Sequence, residues 1–151
     1  MEHERFMKEA LKEAQKAYRK DEVPVGAVVV IDGKVISGAH NLIRLKKDPT
    51  AHAEILAIQK AARRIGNERL LKAALYVNIE PCAMCAGAIV LARIETLVYG
   101  ADEAKTGACG SMCDVLGHEK NNHKTQVIKG ILKEESSCLI RMFFKEKRLK
   151  N

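Results

Sequence analysis

The chain has 151 residues, 47% of them apolar and 30% charged. That length suits a single domain with its own core, and no apolar run approaches the roughly 18 residues a membrane span requires. A net charge of +7 and a pI near 9.2 favour a polyanionic partner such as nucleic acid over a basic one.

The opening segment MEHERFMKEALKEAQ carries charges throughout and no apolar block, so it is not read as a secretory signal, and a cytoplasmic location is expected. Five cysteines, an odd number that includes a C-x-x-C, read as metal chemistry rather than a disulfide framework.

Phe6, Met7, Ala10, Leu11, Ala14 and Ala17 recur at three- and four-residue steps, the apolar face of a helix over about 4–20. Ala27 to Ile31 is apolar and mostly β-branched, as in a strand buried on both faces. Asp32-Gly33 is a hairpin turn signal, so Lys34 to Ala39 should return antiparallel and end at His40 and Asn41. Asp48-Pro49-Thr50 reads as a helix start with Thr50 as N-cap. Ile55, Leu56, Ile58, Ala61, Ala62 and Ile65 continue it, which puts His52 and Glu54 in the first turn.

Leu75 to Ile79 is a strand, Cys82 to Arg93 a helix rich in small and apolar residues, and Thr96 to Gly100 the next strand. Strand, helix, strand in so few residues predicts a βαβ unit with parallel strands. Residues 101–124, broken by Gly107, Gly110 and Gly117, read as a loop-rich active-site segment with at most a short helix near 111–116. Val127 to Leu132 is a candidate last strand. Glu134 to Lys147 is a helix, acidic at its start and basic at its end, as the helix dipole favours. The sum is an α/β fold, a three-layer α/β/α sandwich on a mixed sheet of about five strands, in one domain spanning 1–151.

His52, Cys82 and Cys85 supply one imidazole and two thiols, three ligands for a zinc ion with the fourth position left to water, as in catalytic sites. Both cysteines fall in the first turn of a helix, where free backbone N–H groups favour thiolates. Glu54, two residues from the imidazole, suits proton transfer beside such a site. The alternative is a closed structural zinc with Glu54 as the fourth ligand. A second set, Cys109, Cys113, His118 and His123, has four residues between its pairs where a zinc finger needs about twelve, so Cys109 and Cys113 read as packed small side chains. Cys138, among Leu139, Ile140 and Met142, reads as core.

His52-Ala53-Glu54 with Pro81-Cys82-Ala83-Met84-Cys85 resembles the H-x-E…P-C-x-x-C signature of the zinc-dependent cytidine and nucleobase deaminases. Val23 to Ala27, Asn41, Asp48 to Glu54, Lys105 to Ala108, Gly110-Ser111, Asn122-His123 and Phe143-Phe144 extend the likeness to the family's bacterial tRNA adenosine deaminase branch over nearly the whole chain. Glu103 stands where that branch carries an aspartate.

The resemblance implies one Zn2+ per chain on His52, Cys82 and Cys85, with Glu54 as the catalytic proton shuttle. It also implies a homodimer and, as substrate, the wobble adenosine of a tRNA anticodon loop, deaminated to inosine. Asn41, Lys105, Asn122 and Phe144 are then the candidate substrate contacts. Asn41 reads alternatively as a turn former and Phe144 as core. Arg141, Lys145, Lys147, Arg148 and Lys150 form a basic end suited to phosphates. The competing functions are a zinc deaminase of a free base or nucleotide, guanine foremost, and an inactive zinc- and RNA-binding subunit.

Overall fold

The computed structural model describes residues 2–150. Phe6, Met7, Ala10, Ala14 and Ala17 form the buried stripe of α1 (Glu2–Arg19), as their spacing predicts. The hairpin follows: β1 (Gly26–Ile31) and β2 (Lys34–His40) pair antiparallel around Asp32 and Gly33, whose φ values of 51° and 72° are those of a tight primed turn. A four-residue helix, α2 (Ile43–Lys46), which the sequence did not signal, leads to α3 (Ala53–Ile65). The predicted βαβ unit is β3 (Ala74–Ile79), α4 (Ala83–Leu91) and β4 (Thr96–Ala101), with β3 and β4 parallel. After a long irregular segment come β5 (Gln126–Lys129), shorter than expected, and α5 (Lys133–Lys150).

The five strands lie in the order β2-β1-β3-β4-β5, a mixed sheet as predicted. Strand alternation separates two cores. Ala27, Val29, Leu75, Val77, Leu97 and Tyr99 face α3 and α4. Val28, Val30, Tyr76 and Val98 face Phe6, Met7 and Ala10 of α1. α5 packs on β4, where Ser136 comes against Gly100. The helices thus cover both faces. No described helix is long and apolar enough to cross a membrane.

Residues 111–116, expected to hold at most a short helix in a loop-rich segment, hold none: they form turns and a bridge between Cys109 and Asp114, and the N–H groups of Ser111, Met112 and Val115 bond outside the segment. One expectation fails. Cys138 is exposed, not core: α5 buries Ser136 and Phe143, and Cys138 lies off that side.

Gly26 lets α1 approach β1 closely, since a Cβ there would collide with the Ala10 carbonyl oxygen and the Ala14 nitrogen. Gly26→Ala should cost about 3 kcal/mol through overpacking. Thermal unfolding should then report a Tm lower by roughly 6–12 °C at this chain length.

Candidate metal and active site

Two helix starts meet at one point. His52 is the N-cap residue of α3 and Cys82 that of α4, yet neither side chain caps its own helix. Cys85 lies on the first turn of α4 and is fully buried. The His52 Nδ1 atom lies 3.7 Å from Cys82 Sγ and 3.6 Å from Cys85 Sγ. All three donor atoms fall within 4.8 Å of one another, the one such group of potential metal ligands among the described residues. Ideal tetrahedral zinc bonds would hold a nitrogen and a sulfur about 3.6 Å apart. The donor set therefore fits such an ion as it stands. Hydrogen bonds accepted from the Cys85 thiol and from the His52 ring hold the Cys82 thiol far below its ordinary pKa, while Cys85 is pushed up by the same thiol pair and by burial. One thiolate is thus favoured by protein groups alone.

Glu54 sits on the first turn of α3 and is 3% exposed, and its Oε1 has no hydrogen-bond partner among the described residues. Burial pushes its carboxyl up to about 7. A buried carboxylate oxygen without a partner calls for something outside the protein to meet it. Glu54, His52 and Cys82 share a cavity of about 230 Å³ with Asn41, Ile43, Glu103, Thr106 and Phe144.

Asn41 directly follows β2, at the cavity wall. Its Oδ1 accepts the Ala53 N–H at 2.8 Å, so Asn41 satisfies the α3 N-terminus in place of the expected Thr50. Thr50 instead closes a local turn, with its N–H and hydroxyl both on Asp48. Asn41 thus has a structural bond and an Nδ2 amide left for a ligand.

Phe143 is the buried one of the adjacent pair, edge-on to Tyr18 with ring centroids 5.8 Å apart. Phe144 is 43% exposed and lines both the cavity and a neighbouring groove. That groove also carries Lys105, Arg141, Lys145 and Arg148, so Lys105 stands beside the cavity rather than in it. Asn122 is not brought to the site. His123 Nε2 and the Thr125 hydroxyl both donate to the Ile94 carbonyl, at 2.7 and 2.8 Å. These bonds moor the segment to the amino-terminal end of β4, whereas Cys82 follows the carboxyl-terminal end of β3.

Sequence reasoning missed Glu80, which directly follows β3. It is 2% exposed, and its carboxylate accepts the N–H groups of Glu103, Cys109 and Ser111 at 3.0, 2.9 and 3.1 Å, and the Ser111 hydroxyl. Burial pushes the Glu80 carboxyl up, but these bonds together leave it below its usual value. An acidic residue wedged between an apolar strand and Pro81 was the available signal.

A family model of MafB19-like deaminases matches residues 1–136. A tRNA-specific adenosine deaminase of Bacillus subtilis is 48% identical over 97% of this chain and 91% of its own length. A structure solved in studies of A-to-I editing by tRNA:A34 deaminases at the wobble position of transfer RNA superposes with a TM-score of 0.84, at 45% identity over 89% of this chain and 98% of that one. A guanine deaminase of Bacillus subtilis matches less fully, with a TM-score of 0.64 and 41% identity over 68% of this chain and 66% of that one.

Proposed function

We propose, since the chain belongs to the MafB19-like deaminase family alongside the tRNA-specific adenosine deaminases, that it hydrolyses the wobble adenosine of a tRNA anticodon loop to inosine, with release of ammonia. The observation that carries the chemistry is the buried Glu54 carboxylate, one oxygen of which has no partner among the described residues, in one cavity with His52 and Cys82.

His52, Cys82 and Cys85 would hold one Zn2+, which when bound supplies a Lewis acid that lowers the pKa of water toward neutrality. Glu54 moves the protons. Its carboxylate takes one from the attacking water, passes it to ring N1, and delivers one to the exocyclic nitrogen as it leaves. The Asn41 Nδ2 amide donates to the base. The base must leave its stack to enter the cavity, which an anticodon loop permits. Phe144 offers a ring at the mouth for a flanking base.

The whole chain acts as one deaminase domain, in the cytoplasm where tRNA is processed. The outer side of α4, with Met84 and Leu91 exposed and open space beside Gly87, suits pairing with a second copy.

Incubation with tRNA, free guanine, free adenosine and cytidine tests the reading. Ammonia should be released from tRNA alone, with inosine at the wobble position on sequencing. Release from guanine instead would establish the free-base reading that the guanine deaminase likeness favours.

The groove lined by Lys145 and Arg148 gives a second test. Replacing both by alanine should weaken tRNA binding and reduce the slope of log K against log salt by roughly 0.7–0.9 for each phosphate no longer neutralised. Lys147→Ala should change the slope little, because Lys147 is paired with Asp21. Binding measured across a salt series checks both, and an unchanged slope in the double variant would remove the groove from the RNA path.

A further inference from the structure

Seven polar or charged side chains are buried among the described residues. Asn41 and Glu54 belong to the site above. Ser37 and Ser136 each donate to one backbone carbonyl. Asn78 bridges Gly26 N–H and the Pro24 carbonyl, and Glu22 accepts the N–H groups of Arg44 and Leu45. Glu80 stands apart because all four of its donors come from one irregular segment that also walls the cavity.

We propose that Glu80 is a positioning residue for the reaction proposed above, on which the functional part of this inference rests: its carboxylate fixes the 103–111 loop to the Cys82 turn and so sets the cavity wall formed by Glu103 and Thr106. The four bonds divide evenly. Oε1 takes the Glu103 N–H and the Ser111 hydroxyl, and Oε2 takes the N–H groups of Cys109 and Ser111. Only a group with two acceptor oxygens and no donor meets four donors without conflict. The next two residues continue the attachment. The Pro81 carbonyl accepts the Ala108 N–H at 2.8 Å, and Cys82 forms an isolated bridge with Gly107.

Gly107 completes the fit. A Cβ there would collide with the Glu80 carboxyl group and the Glu103 carbonyl oxygen, so any side chain would displace the carboxylate from its donors. The loop has almost no regular structure of its own to hold it. Its placement against the ligand turn 80–82 therefore depends on these bonds. Detaching it would leave His52, Cys82 and Cys85 in place and let the cavity wall formed by Glu103 and Thr106 drift. A substrate base would then lose its single pose.

Glu80→Gln tests this, because the amide keeps the shape but turns an NH2 donor toward N–H donors. The measurements are metal content, steady-state kinetics on an anticodon stem-loop, and amide hydrogen exchange. The expected result is native metal content, kcat/KM lower by at least tenfold with most of the loss in KM, and faster exchange at Glu103, Cys109 and Ser111 but not in β3 or β4. KM discriminates because a merely structural role would reduce the active fraction and leave the KM of surviving molecules unchanged. Ser111→Ala, at an exposed position, removes one donor without touching the carboxylate. It should shift KM the same way by about threefold, and it carries the test if Glu80→Gln does not fold. Native KM together with native exchange at the three amides would overturn the proposal. If the unmodified chain does not deaminate the stem-loop, the functional reading fails by itself, and the exchange measurement alone decides whether Glu80 holds the loop.

Discussion

Glu54→Gln is expected to fold, bind metal and bind tRNA while losing nearly all turnover. The amide preserves volume and shape in a position that is 3% exposed. It also removes a carboxylate that is buried with one oxygen unpartnered, so stability should hold or rise. What it cannot do is accept and release a proton. In the proposed reaction one group serves the water, ring N1 and the leaving nitrogen, so the fall in kcat should exceed the roughly hundredfold low end for general acid–base catalysis. Metal analysis and inosine formation on the same sample separate the outcomes. Loss of metal would mean that Glu54 closes the site as a ligand, the structural alternative. Near-normal inosine formation with metal retained would refute the proton-shuttle role outright.

What the sequence revealed and what it hid divide along a physical line. The hairpin, the βαβ unit and the two helix starts bearing His52 and Cys82 are written in local patterns: a turn dipeptide, β-branched runs, and ligands at fixed spacing. Glu80 was hidden because its role comes from partners 23 to 31 residues further along the chain, and nothing near it in sequence marks them. The Thr50 cap was misread for the same reason. The acceptor that serves α3 is Asn41, twelve residues earlier and at the end of a strand.

Asn122 shows a further limit. Motif likeness grouped it with the substrate contacts but did not tell where its loop travels, which is set by moorings, here the two bonds onto the Ile94 carbonyl. Cys138 shows another. Apolar neighbours in sequence imply burial only on the side a helix turns inward, and α5 turns Ser136 and Phe143 inward.

Removing the metal should be as costly to turnover as removing the carboxylate, and it should also be visible in stability. Cys85 is the most buried of the three proposed ligands, at 0% exposure, and its thiol lies 3.6 Å from His52 Nδ1. Cys85→Ser keeps the size within one atom but substitutes a hydroxyl, which does not ionise near neutral pH and is a poor partner for a borderline-soft ion. Metal content should fall well below one per chain, and inosine formation should fall in proportion to it.

The ion would also join the starts of α3 and α4, so its loss should destabilise the fold. Saturation at a thousandfold over Kd contributes about 4 kcal/mol, equivalent to a Tm difference of roughly 8–16 °C at this size. A chelator should lower the Tm of the unmodified protein by a similar amount and leave Cys85→Ser nearly unaffected. Cys109 is the control. Its thiol lies outside the ligand group, so Cys109→Ser should keep both metal and activity. Full metal content and normal turnover in Cys85→Ser would show that the three donors, close as they are, do not form the site.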